Sequence, residues 1–241
     1  MSHDSPHREK LNPIVAAWSK FTKYLSEDLF GGPKIFKICH PVNMQKGGTL
    51  LFVLGLMYKY DNWSPTACAY CALHGSYGLC WLLKELTFPD PKWQVRMTIG
   101  GFFSAWTAVL GPYWLMPYWL ITSGRQADQK TITISTIVYA VGLALMLGAD
   151  AQKFFVLKVK RGLITDGFFS RIRHPNYLGE MMIYGSFAAL SCHTESWGIL
   201  AWIWIGLFLP NILGKEASMS RYPEWPAYKR RTGYLLPKLF R

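Results

Sequence analysis

Ile132-Thr-Ile-Ser-Thr-Ile-Val-Tyr-Ala-Val-Gly-Leu-Ala-Leu-Met-Leu-Gly-Ala149 runs for 18 residues without a charge and stops against Asp150-Ala-Gln-Lys153. An uncharged apolar run of that length can cross a bilayer as a helix. Other apolar blocks stand at roughly 48–58, 65–83, 97–121, 176–191 and 198–213, the first of them short. The block at 97–121 contains Gly111-Pro112 and Pro117, so a kink or break is expected there. The chain therefore reads as an all-α, polytopic transmembrane helix bundle of about six spans, with seven as the alternative count. No repeat or low-complexity tract divides it, and 1–241 reads as a single membrane domain.

Charge placement gives the orientation. With six spans and the N-terminus inside, segments 1–46, 84–96, 150–175 and 214–241 hold 7, 3, 6 and 7 Lys and Arg. The outside loops hold only Lys59, Arg125 and Lys130. An inside excess of 23 against 3 follows the positive-inside bias and accounts for the net charge of +12. Nucleic acid is therefore not needed as a partner. Residues 1–46 lack the apolar core of a cleavable signal peptide and read as a cytoplasmic segment. Within it Val15, Trp18, Phe21, Leu25 and Leu29 recur every three or four residues, one face of a helix. That helix either lies in the membrane interface or packs on the protein's own loops. Cys68-Ala-Tyr-Cys71 has metal-ligand spacing, but it lies inside an apolar block without a second pair. Helix packing is the simpler reading, and no metal site is expected.

Polar chemistry gathers where the fifth block begins. In Arg171-Ile-Arg-His-Pro-Asn-Tyr-Leu-Gly-Glu180 a basic turn runs into an apolar helix that starts at proline. Arginines of such a turn and the helix N-terminus suit phosphate oxygens. Asn176 and Glu180, four apart, share one face at the membrane edge, where polar groups usually mark function. Two further segments face the same side: Asp150 to Lys153 with Lys158, Lys160 and Arg161, and the tail from Lys215-Glu216 onward. The tail carries Tyr222, Trp225, Tyr228, Tyr234 and Phe240 among its cations, so it is expected to pack rather than float.

Arg-His-Pro-Asn-Tyr-Leu-Gly-Glu, the upstream Gln152-Lys153 and the ending Tyr-Leu-Leu-Pro-Lys-Leu-Phe240 resemble the steroid 5α-reductase and sterol reductase superfamily. The resemblance covers roughly 145–241, the cofactor-binding half. It implies a helix bundle that binds NADPH from the cytoplasmic side, through Lys153, Arg173, His174, Asn176, Tyr177 and Glu180. It extends by pattern to Tyr222, Trp225, Tyr228 and Arg231, and the basic turn adds Arg171. Similar Arg-His-Pro turns occur in isoprenylcysteine and phospholipid methyltransferases of membranes, whose cofactor is S-adenosylmethionine. That cofactor has no phosphates, so the cations favour NADPH.

The implied reaction transfers a hydride to a carbon–carbon double bond of a lipophilic steroid, sterol or other isoprenoid-type substrate entering from the bilayer. Such a transfer needs a hydrogen-bond donor for the substrate carbonyl. Tyr77 is the candidate donor, with His74 three residues before it on the same face. The resemblance implies a Tyr and a Glu from the N-terminal half. Here Glu27 falls too early and Glu85 is expected in the loop after the second span. The expected location is an endoplasmic reticulum or bacterial inner membrane, with the cofactor site facing the cytoplasm.

Overall fold

The computed structural model describes residues 9–238, and Phe240 of the tail pattern lies outside the described residues. Every apolar block is helical. In chain order the helices are α1 (Pro13–Glu27), α2 (Cys39–Lys59), α3 (Pro65–Thr87), α4 (Ile99–Ala105), α5 (Pro112–Ser123), α6 (Gln129–Val159), α7 (Pro175–Leu190), α8 (Glu195–Ile203), α9 (Leu209–Met219) and α10 (Trp225–Arg231). A two-stranded antiparallel ribbon pairs β1 (Phe36–Lys37) with β2 (Arg96–Met97).

Local signals explain the helix starts. Ser64 and Asp128 accept from the Ala67 and Thr131 backbone N–H groups, capping α3 and α6, and proline opens α3 and α7. The expected break at Gly111-Pro112 is present: a π-helical turn, Trp106–Leu110, ends α4, and α5 starts afresh at Pro112. A second π-helical turn, Trp204–Phe208, joins α8 to α9 in one rod, Glu195–Met219.

Two helices, α6 and the α8–α9 rod, are long and apolar enough to cross a membrane. Only 28% and 22% of their most apolar stretches are buried. Ile134, Ile137, Trp202 and Ile205 point outward, and such faces suit lipid better than water. The other apolar blocks do not reach that standard as helices. α7, at 16 residues, spans only about 24 Å.

Two sequence boundaries need correction. α2 begins at Cys39, well before the apolar run at 48, so Lys46 belongs to a helix rather than to a cytoplasmic segment ending at 46. α3 runs on to Thr87 and takes in both Lys84 and Glu85. Glu85 is a half-buried helical residue that accepts from Gln94 Nε2 at 2.5 Å, not a solvated loop residue. In each case a polar residue lies on the inner face of a helix, where apolar averaging discards it. The N-terminal helix packs on the protein itself: Trp18 Nε1 donates to the Gly206 carbonyl, and Trp18 meets Trp202 edge-on. Phe21 and Tyr24 stay about half exposed beside it.

Helices α6 and α7 make the tightest pairing. A Cβ on Gly142 would stand 2.8 Å from the Gly179 carbonyl oxygen, and one on Gly179 would stand 2.7 Å from the Met146 nitrogen. Small residues of this kind let helix backbones approach in a membrane. Gly179→Leu is expected to force the pair apart and cost about 1–3 kcal/mol, as overpacking does. Gly55→Ala, which faces open space, should be neutral. Thermal unfolding of both variants in detergent checks this.

Candidate active site

Before α7 the chain turns through Arg171–His174 and bridges to the tail at Ile172 and Gly233. The Arg173 backbone N–H donates to the Gly233 carbonyl at 3.0 Å, and the Gly233 N–H donates to the Arg171 carbonyl at 2.9 Å. Glu216 of α9 then clamps the turn. Its Oε1 receives Arg173 Nε and meets His174 Nε2, both at 2.8 Å. Arg173 Nη1 also donates to the Thr232 carbonyl at 2.8 Å. Burial pushes the His174 imidazole below its ordinary value, against the opposing pull of the Glu216 hydrogen bond. All three side chains are buried. Much of the hydrogen-bonding capacity that the sequence assigns to phosphate contact at Arg173 and His174 is thus spent inside the protein.

The tail packs as expected. Tyr228 Oη donates to the Phe169 carbonyl at 2.8 Å, Trp225 Nε1 to Glu9, and Arg231 Nη2 to the Thr165 carbonyl at 3.3 Å. These bonds turn Trp225 and Arg231 away from the cavities, and Arg171 lines neither. Tyr222 and Tyr228 do line the cleft.

Two joined spaces lie between the helices. The outer cleft, about 580 Å³, is bordered by Lys153, Phe154, Leu157 and Lys158 of α6, spaced three and four apart on one face. Arg161, Asn176, Arg221 and the predicted residues Arg173 and His174 are part of its polar lining, with Phe88 and Phe169 among the apolar groups. The inner chamber, about 140 Å³, is enclosed by Lys46, Tyr77, Trp81, Tyr113, Tyr177, Glu180 and Tyr184. Asp90, Asp150, Asn176 and Lys215 line both spaces and form the wall between them.

That wall is held by charge. Lys84 Nζ meets Asp150 Oδ2 at 3.1 Å, and Asn176 Nδ2 donates to Asp150 Oδ1 at 3.2 Å. Lys153 meets Asp90 at 2.5 Å. Burial alone would raise the Asp90 carboxyl, but Lys153, the Lys92 backbone N–H and Lys215 pull it down to about 2. The shared face predicted for Asn176 and Glu180 is present, with Asn176 at the wall and Glu180 inside the chamber.

His74 and Tyr77 separate. Tyr77 lines the chamber, whereas His74 stacks on Phe187 at 4.1 Å and contacts Tyr70 Oη through Nδ1 at 3.1 Å, within the core. A ring sandwiched in this way cannot reach a ligand in the chamber. Lys46, Lys84, Asp90, Tyr113 and Tyr184 belong to the two spaces but carry no motif. Their only signal in the sequence is a polar or phenolic side chain beside or within an apolar block.

Residues 91–232 match the family model described as a protein of unknown function, DUF1295. The chain belongs to the DUF1295 family. It is also similar to an uncharacterized protein of Schizosaccharomyces pombe, 33% identical over 93 residues. That match covers 36% of this chain and 27% of the relative's length. The DUF1295 region holds α6, α7, Glu216 and most of the outer cleft. Lys46, Tyr77 and Lys84 precede it, so α2 and α3 close the inner chamber from outside the matched residues.

Removing Glu216 leaves Arg173 buried without its carboxylate. Glu216→Ala is expected to cost about 3 kcal/mol or more, read as a fall in the unfolding midpoint, with Glu216→Gln milder. A second expectation concerns acid. Asp90 is depressed, so its pair with Lys153 contributes fully above the ordinary carboxylate value of 3.8 and is lost as pH falls toward 2. The stability gap between the parent and Asp90→Asn should persist from neutral pH to about 3.8 and close near 2.

Proposed function

We propose that this DUF1295 protein is a membrane reductase that takes NADPH in the outer cleft and a lipophilic unsaturated substrate in the inner chamber. One observation carries the reading: a cation-bordered cleft adjoins an aromatic chamber, and Asp90, Asp150, Asn176 and Lys215 line both. On this reading the chain is a bundle of about six spans with the cleft facing the cytoplasm, in an endoplasmic reticulum or bacterial inner membrane. The lipophilic substrate enters from the bilayer.

The donor set fits the cofactor. Lys158 and Arg161 take part in no ion pair among the described residues, so their charges are available to phosphates. Phe88, Phe154 and Leu157 offer apolar surface to the rings. Bound there, the nicotinamide would supply a hydride. Asn176, tied to Asp150, would orient the amide end at the wall, while Glu180 and Tyr177 face the chamber beyond it. Tyr77 is the phenol placed to meet the substrate. Its hydroxyl is buried without a hydrogen-bond partner among the described residues, a condition that a ligand can relieve.

S-adenosylmethionine, a sulfonium cation without phosphates, gains little from the same rim. In a thermal-shift titration of the detergent-purified chain, NADPH should raise the unfolding midpoint, NADH less, and S-adenosylmethionine not at all. Lys158→Ala with Arg161→Ala should weaken NADPH at least about tenfold, the scale of a lost charged hydrogen bond. Stabilisation by S-adenosylmethionine alone would replace this reading with a methyltransferase.

A further inference from the structure

Lys46 is 4% exposed, yet it makes no ion pair among the described residues. Its ammonium lies 4.3 Å from the Tyr77 ring centroid and 4.7 Å from that of Tyr184. Trp81 and Tyr113 stand at 5.6 and 5.7 Å. Among the described residues the ammonium's one hydrogen bond is to the Tyr184 hydroxyl. Four aromatic faces attract a cation but do not neutralise it. Taking an ammonium out of water is costly, and Glu180, in the same chamber but beyond ion-pair distance, compensates it only in part.

A long lysine near a helix end usually extends its charge toward water. Lys46, in the second turn of α2, points instead into the chamber that Tyr77, Tyr113, Glu180 and Tyr184 share. It is also held in place. A Cβ on Gly78 would collide with the Lys46 carbonyl oxygen, so α3 seats directly on this residue. Tyr184 is stacked on Tyr113 at 4.2 Å and meets Tyr77 edge-on at 5.6 Å. A fixed charge in a closed aromatic space is preorganised for an oxygen that becomes negative during reaction.

We infer that Lys46 is a catalytic residue that holds the substrate's carbonyl oxygen as it gains negative charge, with the Tyr184 hydroxyl beside it. The inference rests on the reductase reading and assigns the chamber to an α,β-unsaturated carbonyl group. A hydride delivered to the β-carbon forms the new C–H bond. The alkene pair then becomes the enolate double bond, and the carbonyl pair moves onto oxygen. One proton from solvent at the α-carbon completes the saturated ketone. Lys46 ends the cycle as it began, protonated. The other charged groups lining the chamber are Glu180 of α7, Asp150 of α6, Lys215 of α9, and Asp90 and Lys92 between α3 and β2. Asp150 and Asp90 are already paired, with Lys84 and Lys153. Glu180 disfavours a permanently anionic ligand such as a carboxylate. A carbonyl enters neutral and acquires charge only in the transition state.

The test uses 6-hexyl-2-naphthol, a lipophilic mimic of an enolate whose ionised and neutral forms differ in absorbance. On the purified full chain near neutral pH, the bound probe should be mainly naphtholate. Lys46→Met should lower the bound ratio of ionised to neutral probe at least tenfold, and Lys46→Arg should largely restore it. A neutral bound probe in the parent protein, equal ionisation in Lys46→Met, or no probe binding would overturn the inference. NADPH thermal shift of the same samples reports folding and the cofactor site independently. A retained NADPH shift with no Lys46-dependent ionisation sinks the Lys46 role alone. Lys46-dependent ionisation without an NADPH shift sinks the cofactor reading and leaves the oxygen site standing.

Discussion

Asp150 has two oxygens, and each holds a different helix. Oδ2 takes Lys84 from α3 and Oδ1 takes Asn176 from α7, so one carboxylate in α6 ties three helices at the wall between cleft and chamber. The Lys84 side chain is 1% exposed and that of Asp150 12%, so desolvation offsets much of their attraction. Apolar residues of similar volume would fill this place at no loss of stability, and often with a gain. What they would not do is present a fixed amide to one side and fixed charge to the other. The pair is better understood as a positioning device than as a source of stability.

The helix packing nearby makes that arrangement reachable. Gly142 and Gly179 remove the side chains that would hold α6 and α7 apart, and Met146 sits against Gly179. Met146 lies one turn before Asp150, and Gly179 lies three residues after Asn176. The close approach therefore brings the Asp150 and Asn176 side chains within bonding distance. At the outer end of α7 the Glu216 clamp performs a related task. It binds Arg173 and His174 together, fixes where α7 begins, and ties that start to α9 and the tail. The two acidic anchors thus set the position of α7 relative to α6, α3 and α9.

The sequence shows much of this and hides the rest for physical reasons. Long apolar blocks marked all the major helices, because burial or lipid exposure demands them, and the Pro-Gly signals located the break before α5. The aromatic tail read correctly as packed. Helix ends were misplaced where Lys46, Lys84 and Glu85 sit inside helices, since a charge next to an apolar block resembles a loop until its partner is seen. The bond of Arg173 to Glu216 was hidden because the two stand 43 residues apart in the chain. His74 and Tyr77 share a helix face, but three residues along α3 separate a core ring from a cavity ring. Spacing identifies a face; the neighbouring helices decide which part of it meets a ligand.

The segment before the matched region contributes to both spaces, Lys84, Phe88 and Asp90 to the cleft and Lys46, Tyr77 and Trp81 to the chamber. The DUF1295 match begins at residue 91, and it contains α6, the Arg-His-Pro turn and α9, which border the outer cleft. Lys46, Tyr77 and Trp81 come to the inner chamber from α2 and α3 outside that match, while Tyr113, Tyr177, Glu180 and Tyr184 come from within it. On the proposed reading the two spaces meet different demands. A cofactor site is constrained by one unchanging ligand, with its phosphates, rings and amide. A substrate chamber is constrained by whichever lipid the enzyme reduces, and its charge pattern is free to differ. A lysine in an aromatic cage, rather than a carboxylate, belongs to that second space. On that reading it holds the substrate oxygen without disturbing the junction at Asp150, where the two spaces meet.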